Sequence, residues 1–194
     1  MSENLYISDL HYNHSNIIRF DGRPYSTVKE MEECLIENWN SVAKAGDTVY
    51  HLGDFCWGKA EEWERLLKKL NGNKVIIKGN HDLKDYPPAV KRLLADVKDY
   101  KEIKEYGRLV LLSHYPHLAY KHSYDPNVYM LYGHVHKTHE ADQIRKFVLE
   151  LRNTRVNPYD NRGQLINVGC MMPYMNYTPQ TLDYLIEKFK KGEA

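Results

Sequence analysis

Apolar positions along the chain follow two periods. The stretch NLYIS (Asn4–Ser8) reads as a short strand. In STVKEMEECLIENWNSVAKAGD, residues Val28, Met31, Leu35, Trp39 and Val42 recur at helical spacing. Thr27 and Glu30 fit a capping box at its start, and Gly46 a stop at its end. TVYHL (Thr48–Leu52) reads as the next strand. KAEEWERLLKKLNG reads as a second helix with Trp63, Leu66, Leu67 and Leu70 on one face, and KVIIK (Lys74–Lys78) as a third strand. Strands alternating with helices predict an α/β fold with parallel pairing. Pro87 and Pro88 then open a short helix running to Leu94. Tyr100–Tyr106 and Arg108–Ser113, joined at Gly107, predict an antiparallel hairpin. VYMLY (Val128–Tyr132) and QLINVG (Gln164–Gly169) predict two further strands, and TPQTLDYLIEKFKK a last helix. The polar stretch at about 137–163 reads as an insertion, with a helix at Asp142–Leu151.

Composition narrows this picture in a few places. A chain of 194 residues with 42% apolar content suits one domain, 1–194, with a modest insertion. A net charge of +1 makes no general case for nucleic-acid binding. The apolar runs are far too short for a membrane helix, and the amino terminus lacks a basic-then-apolar leader, so a cytoplasmic location is expected. The three cysteines, Cys34, Cys56 and Cys170, stand apart and read as free thiols, which argues against a thiolate-built zinc site. The ten histidines matter because of where they fall.

Five strands end in aspartate, asparagine or histidine. Asp9 and His11 follow the first, Gly53-Asp54 the second, and Gly79-Asn80-His81-Asp82 the third. His114 follows Arg108–Ser113, and Gly133-His134-Val135-His136 follows Val128–Tyr132. In open α/β sheets the carboxyl ends of strands form the ligand crevice, so these side chains are expected to converge on one edge. Oxygen and imidazole donors together suit zinc, manganese or iron(II), and do not suit copper(I) or iron–sulfur clusters. Seven donors exceed one tetrahedral site but suit two metals sharing a carboxylate. Alone, an Asp-x-His or a Gly-Asp says little; the order and the repeated placement after strands carry the inference. If the chain stays extended, His134 and His136 point to the same side.

The series Asp9-x-His11, Gly53-Asp54, Gly79-Asn80-His81-Asp82, His114, Gly133-His134-x-His136 resembles the calcineurin-like metallophosphoesterase superfamily, and no motif element is missing. SDLHYNHSNIIRFDGRPY is similar to compact bacterial and phage-type members. The resemblance implies a four-layer αββα sandwich, two mixed β-sheets flanked by helices. It implies two divalent metal ions (manganese, iron, zinc or nickel). One would be held by Asp9, His11, Asp54 and His136, the other by Asp54, Asn80, His114 and His134, with Asp54 bridging. It further implies hydrolysis of a phosphomonoester or phosphodiester by a metal-bridging hydroxide, His81 acting as general acid and Asp82 orienting it.

The remaining candidates are substrate contacts. Asn80, His14, Arg19 and Arg23 lie close enough in sequence to the motifs to reach a substrate phosphate. His51 is expected to be a hydrogen-bonded core residue, and Asn167 and Gly169 to close the metal edge. Specificity should come from the loops Tyr12–Tyr25, Phe55–Lys59, Pro116–Asn127 and Lys137–Arg162. The expected partner is a phosphate-ester small molecule or nucleotide, not a membrane. The competing functions are a non-catalytic interaction scaffold of the same fold and a nuclease.

Overall fold

The computed structural model describes residues 2–153 and 163–194. One sheet gathers β1 (Asn4–Ile7), β2 (Thr48–His51), β3 (Asn73–Ile77), β4 (Asp96–Lys98) and β9 (Gln180–Thr181), in the order β4-β3-β2-β1-β9. Strands β1 to β4 are parallel, as the strand–helix alternation predicts, and β9 closes the edge antiparallel to β1. The second sheet holds β5 (Tyr100–Glu105), β6 (Arg108–Ser113), β7 (Val128–Tyr132) and β8 (Leu165–Asn167), in that order. The β5–β6 hairpin is antiparallel and the rest parallel. Two mixed sheets flanked by helices are therefore present, as expected.

Six helices accompany the strands among the described residues: α1 (Ser15–Asp21), α2 (Val28–Val42), α3 (Ala60–Leu67), α4 (Pro88–Lys91), α5 (His139–Asn153) and α6 (Leu182–Lys190). Helix α2 starts where its capping residues require. Thr27 Oγ1 accepts from Glu30 N at 3.1 Å, while Glu30 reaches back to Ser26 N at 2.7 Å. It buries Met31, Leu35 and Trp39. It stops at Val42, short of the expected Gly46, because the Asp47 carboxylate accepts from Lys44 N (2.8 Å) and Glu3 N (2.9 Å) and folds the chain toward β1. Trp39 and Trp63 are fully buried, each worth roughly 2–3 kcal/mol of burial.

Three elements lie outside the sequence-based expectation. Helix α1 has only Ile17 buried and hence little periodicity; Gly22, at φ 60°, ends it in the left-handed region. Strands β4 and β9 are three and two residues long, too short to show a period. The last helix begins at Leu182 rather than Thr178, because Thr181 caps it after β9. Helix α5 runs beyond the expected Asp142–Leu151 at both ends. The part of the polar insertion at 154–162 lies outside the described residues. Among the described residues, no helix is long and apolar enough to cross a membrane.

The two sheets meet at the carboxyl ends of their central strands. Ser8, just past β1, bridges to Gly169 past β8, with Ser8 N to Val168 O and Cys170 N to Ser8 O both at 2.9 Å. The fold thereby aims the loops after β1, β2, β3, β6 and β7 at one place.

Candidate metal centre

Two groups of metal-binding side chains form at that joint. Asp9, His11 and His136 make one, and Asp54, His114 and His134 the other; within each, the donor atoms lie within 4.8 Å of one another. Asp54 Oδ2 stands between the groups, 3.6 Å from His11 Nε2 and 3.6 Å from His114 Nε2. Asn80 Oδ1 approaches His114 Nε2 at 3.0 Å. All seven expected ligands are thus brought together.

The local backbone is unusual. Asp9, His11, Asp54, His134 and His136 all adopt positive φ, between 47° and 72°. For non-glycine residues this costs about 1–3 kcal/mol each, and such strain gathers at functional sites. It also corrects one expectation. His134 and His136 do not sit on one side of an extended strand: at φ 72° and 47° they belong to a turn past β7, and they join different groups. Close approach explains two glycines. A Cβ on Gly133 would overlap Ser8 Oγ and Asp9 Oδ2, and one on Gly79 would overlap Asp54 Oδ1.

The hydrogen bonds show which ring nitrogens are free. His114 Nδ1 is 2.8 Å from Leu52 O, a pure acceptor, so Nδ1 carries the proton. A neutral His114 then turns a lone pair at Nε2 toward Asn80 Oδ1 and Asp54 Oδ2, acceptors facing an acceptor. His136 Nδ1 is 2.7 Å from Asp21 Oδ1, which likewise leaves Nε2 as a donor atom, 3.2 Å from His11 Nε2. Fixing the distal N–H on a carbonyl or carboxylate is how proteins orient histidines that ligate metals. Burial pushes the pKa values of His11 and His134 down, which keeps both rings neutral and able to donate lone pairs. For His136, burial pulls downward, but the hydrogen bond and charges of Asp21 and Asp9 outweigh it and the net shift is up. Burial raises the Asp9 carboxyl. Packed this closely, two buried carboxylates and four imidazoles fit divalent cations.

Several residues take places other than those expected. Arg23 does not reach outward to a substrate. Its side chain is fully buried, binding Asp21 Oδ2 through Nε (3.0 Å) and Nη2 (2.8 Å) and the carbonyls of Leu10 and Asp9 (2.8 Å each). Asp21, at the end of α1, is therefore clamped between Arg23 and His136. Burial favours its neutral form, but these bonds outweigh burial and depress its pKa. Sequence reasoning missed Asp21; its one local signal is the helix stop Asp21-Gly22. Asp82 does not orient His81 through its side chain. Its carboxylate accepts from Gly79 N (2.8 Å), Phe55 N (2.8 Å) and Asp54 N (3.1 Å), tying the loops after β2 and β3 together. Burial, partly countered by these bonds, pushes its pKa up to about 6. Arg19 is exposed over Phe20 and does not line the cleft.

His81 and His14 do lie in the cleft. His81 is exposed, its ring centroid 5.8 Å from that of His11, and its backbone N–H donates to Asp54 Oδ1 at 2.9 Å. His51 is buried in the core as expected, but neither of its ring nitrogens has the expected hydrogen-bond partner among the described residues. Asn167 sits beside the centre, its Oδ1 holding Gly169 N at 2.9 Å and its Nδ2 reaching His136 O at 3.4 Å.

Comparison with known proteins agrees with this geometry. The family model described as calcineurin-like phosphoesterase matches residues 5–168. An uncharacterized protein of Methanocaldococcus jannaschii is 33% identical over 190 residues, covering 97% of this chain and 92% of that protein. The gene 66 protein of Mycobacterium phage L5 is 33% identical over 85 residues, covering 42% of this chain and 41% of its own. Among solved structures, a protein of unknown function from Aquifex aeolicus superposes with a TM-score of 0.68 at 28% identity, covering 97% of this chain and all of that one.

Proposed function

The chain belongs to the calcineurin-like phosphoesterase family, and on that footing we propose that it hydrolyses phosphomonoesters or phosphodiesters at a two-metal centre. The observation that carries this reading is Asp54 Oδ2, equidistant at 3.6 Å from one imidazole of each group. Asp9, His11, Asp54 and His136 would hold one divalent cation, and Asp54, Asn80, His114 and His134 the other. When bound, such a pair supplies Lewis acidity, lowering the pKa of water toward neutrality and offsetting charge on phosphoryl oxygens.

The chain's own residues account for the rest. Asp21 and the Leu52 carbonyl fix the tautomers of His136 and His114, so both Nε2 atoms stay available. Arg23 neutralises Asp21 and holds the Asp9–Leu10 backbone, keeping the first motif in its left-handed turn. Asp82 locks the Asp54 and Gly79 loops together. His81 stands free at the edge of the cleft, its backbone anchored on Asp54, and donates a proton to the departing alkoxide oxygen.

The test is turnover. Metal-free protein is expected to be inactive on nitrophenyl phosphate and bis(nitrophenyl) phosphate. Manganese, zinc, iron(II) or nickel should restore hydrolysis of at least one ester, and a chelator should abolish it. No metal-stimulated turnover across a panel of mono- and diesters would overturn the proposal.

A further inference from the structure

The cleft contains aromatic surface that the phosphoryl chemistry does not use. Trp57 lies in the connection between β2 and α3 and is 45% exposed, whereas Trp39 and Trp63 are 1% and 0% exposed. The His14 ring lies flat on it, with centroids 4.6 Å apart and planes 14° from parallel. The His81 ring stands 5.1 Å from the indole. Phe20, next to the last residue of α1, is 64% exposed. These rings line one cleft of about 420 Å³ together with His11 and His136.

The position of this surface is informative. His11 and His136 belong both to a donor group and to the cleft lining, so an ester with its phosphoryl group at the centre would extend into the cleft that His81 also lines. That space is walled mainly by rings, with no lysine or arginine lining it among the described residues. A polyanionic strand finds no cationic track there. Apart from the imidazoles, the polar lining residues are Thr138 and Asp21, and Asp21 is already held by Arg23 and His136. A planar ring finds an indole whose orientation is already held by His14 stacked on one face, so little ordering is needed to bind. Aromatic rings exposed beside a polar centre are the usual make-up of a small-molecule pocket.

We propose that Trp57, together with Phe20, is a stacking platform for the organic part of the ester. The substrate class is then a phosphate ester carrying a planar ring of nucleobase size, such as a nucleoside phosphate. The substrate part of this inference rests on the phosphoesterase reading; the platform itself does not.

Two measurements on the metal-loaded protein test it. Because Trp57 is the exposed tryptophan of the three, its fluorescence reports binding directly. Adenosine monophosphate is expected to quench the emission, and ribose 5-phosphate at the same concentration is not. In turnover, Trp57→Ala should lower the ratio of kcat/KM for the adenosine ester over ribose 5-phosphate about tenfold, and Trp57→Phe should largely restore it. Quenching by both compounds alike, or an unchanged ratio in Trp57→Ala, overturns the platform while leaving hydrolysis standing. Selective quenching without hydrolysis of either ester supports the platform, and the phosphoesterase reading then falls if the wider panel of mono- and diesters also shows no metal-stimulated turnover.

Discussion

Asp54→Asn is expected to remove one metal equivalent per chain and to lower turnover on the order of a thousandfold. Asparagine keeps the shape of aspartate and can still accept the His81 backbone N–H that Asp54 Oδ1 holds at 2.9 Å. What it loses is the negative charge at Oδ2, the atom 3.6 Å from both His11 Nε2 and His114 Nε2. With the amide oxygen kept on the His81 N–H, the position of Oδ2 holds an NH2 group, which carries no negative charge and does not ligate a cation. A metal's contribution to transition-state charge stabilisation is several kcal/mol, and each 1.36 kcal/mol is a tenfold change in rate. Elemental analysis of the purified variant beside steady-state kinetics checks both halves. A variant that kept two metals and wild-type turnover would mean that Asp54 does not bridge.

His81→Ala should behave differently, retaining both metals and losing turnover by about 10²–10⁴-fold on esters with alkyl leaving groups. The side chain is exposed and lies outside both ligand groups, so its removal leaves no cavity and no missing donor. The distinguishing signature is the leaving group. A nitrophenolate leaves without protonation, so a general acid matters much less for nitrophenyl esters than for alkyl esters. The loss should therefore be far larger on the alkyl substrate, and it should appear in kcat rather than KM. Equal losses on both esters would make His81 a binding residue. No loss on either would remove it from the mechanism.

The ligand positions are legible because each lies at or just past the end of a short strand rich in apolar residues. Gly53-Asp54, Gly79-Asn80 and Gly133-His134 announce both the strand end and the donor. The parallel trio β1–β2–β3 was legible for the same reason, with helices of clear period between its strands. The partners that hold the ligands in place were not. Asp21 acts on His136, 115 positions away in sequence, so no local spacing connects them. As a long cation beside the first motif Arg23 reads as a phosphate contact, yet Asp21 and two carbonyls draw it into the interior. The resemblance pairs Asp82 with its neighbour His81, whereas its carboxylate turns back to three backbone N–H groups of the β2 and β3 loops. The spacing of His134 and His136 suggested one shared direction, which holds only for an extended chain and fails once both residues turn left-handed. In each case the missing information was a long-range contact or a backbone conformation, neither of which has a period.

The most direct test of the two-metal centre is anomalous diffraction at the manganese edge from crystals of the manganese-loaded protein. The expected result is two peaks per chain, one among Asp9, His11 and His136 and the other among Asp54, His114 and His134, both within bonding distance of the Asp54 carboxylate. A single peak, or two peaks of which only one touches Asp54, would contradict the shared centre on which the proposed hydrolysis depends.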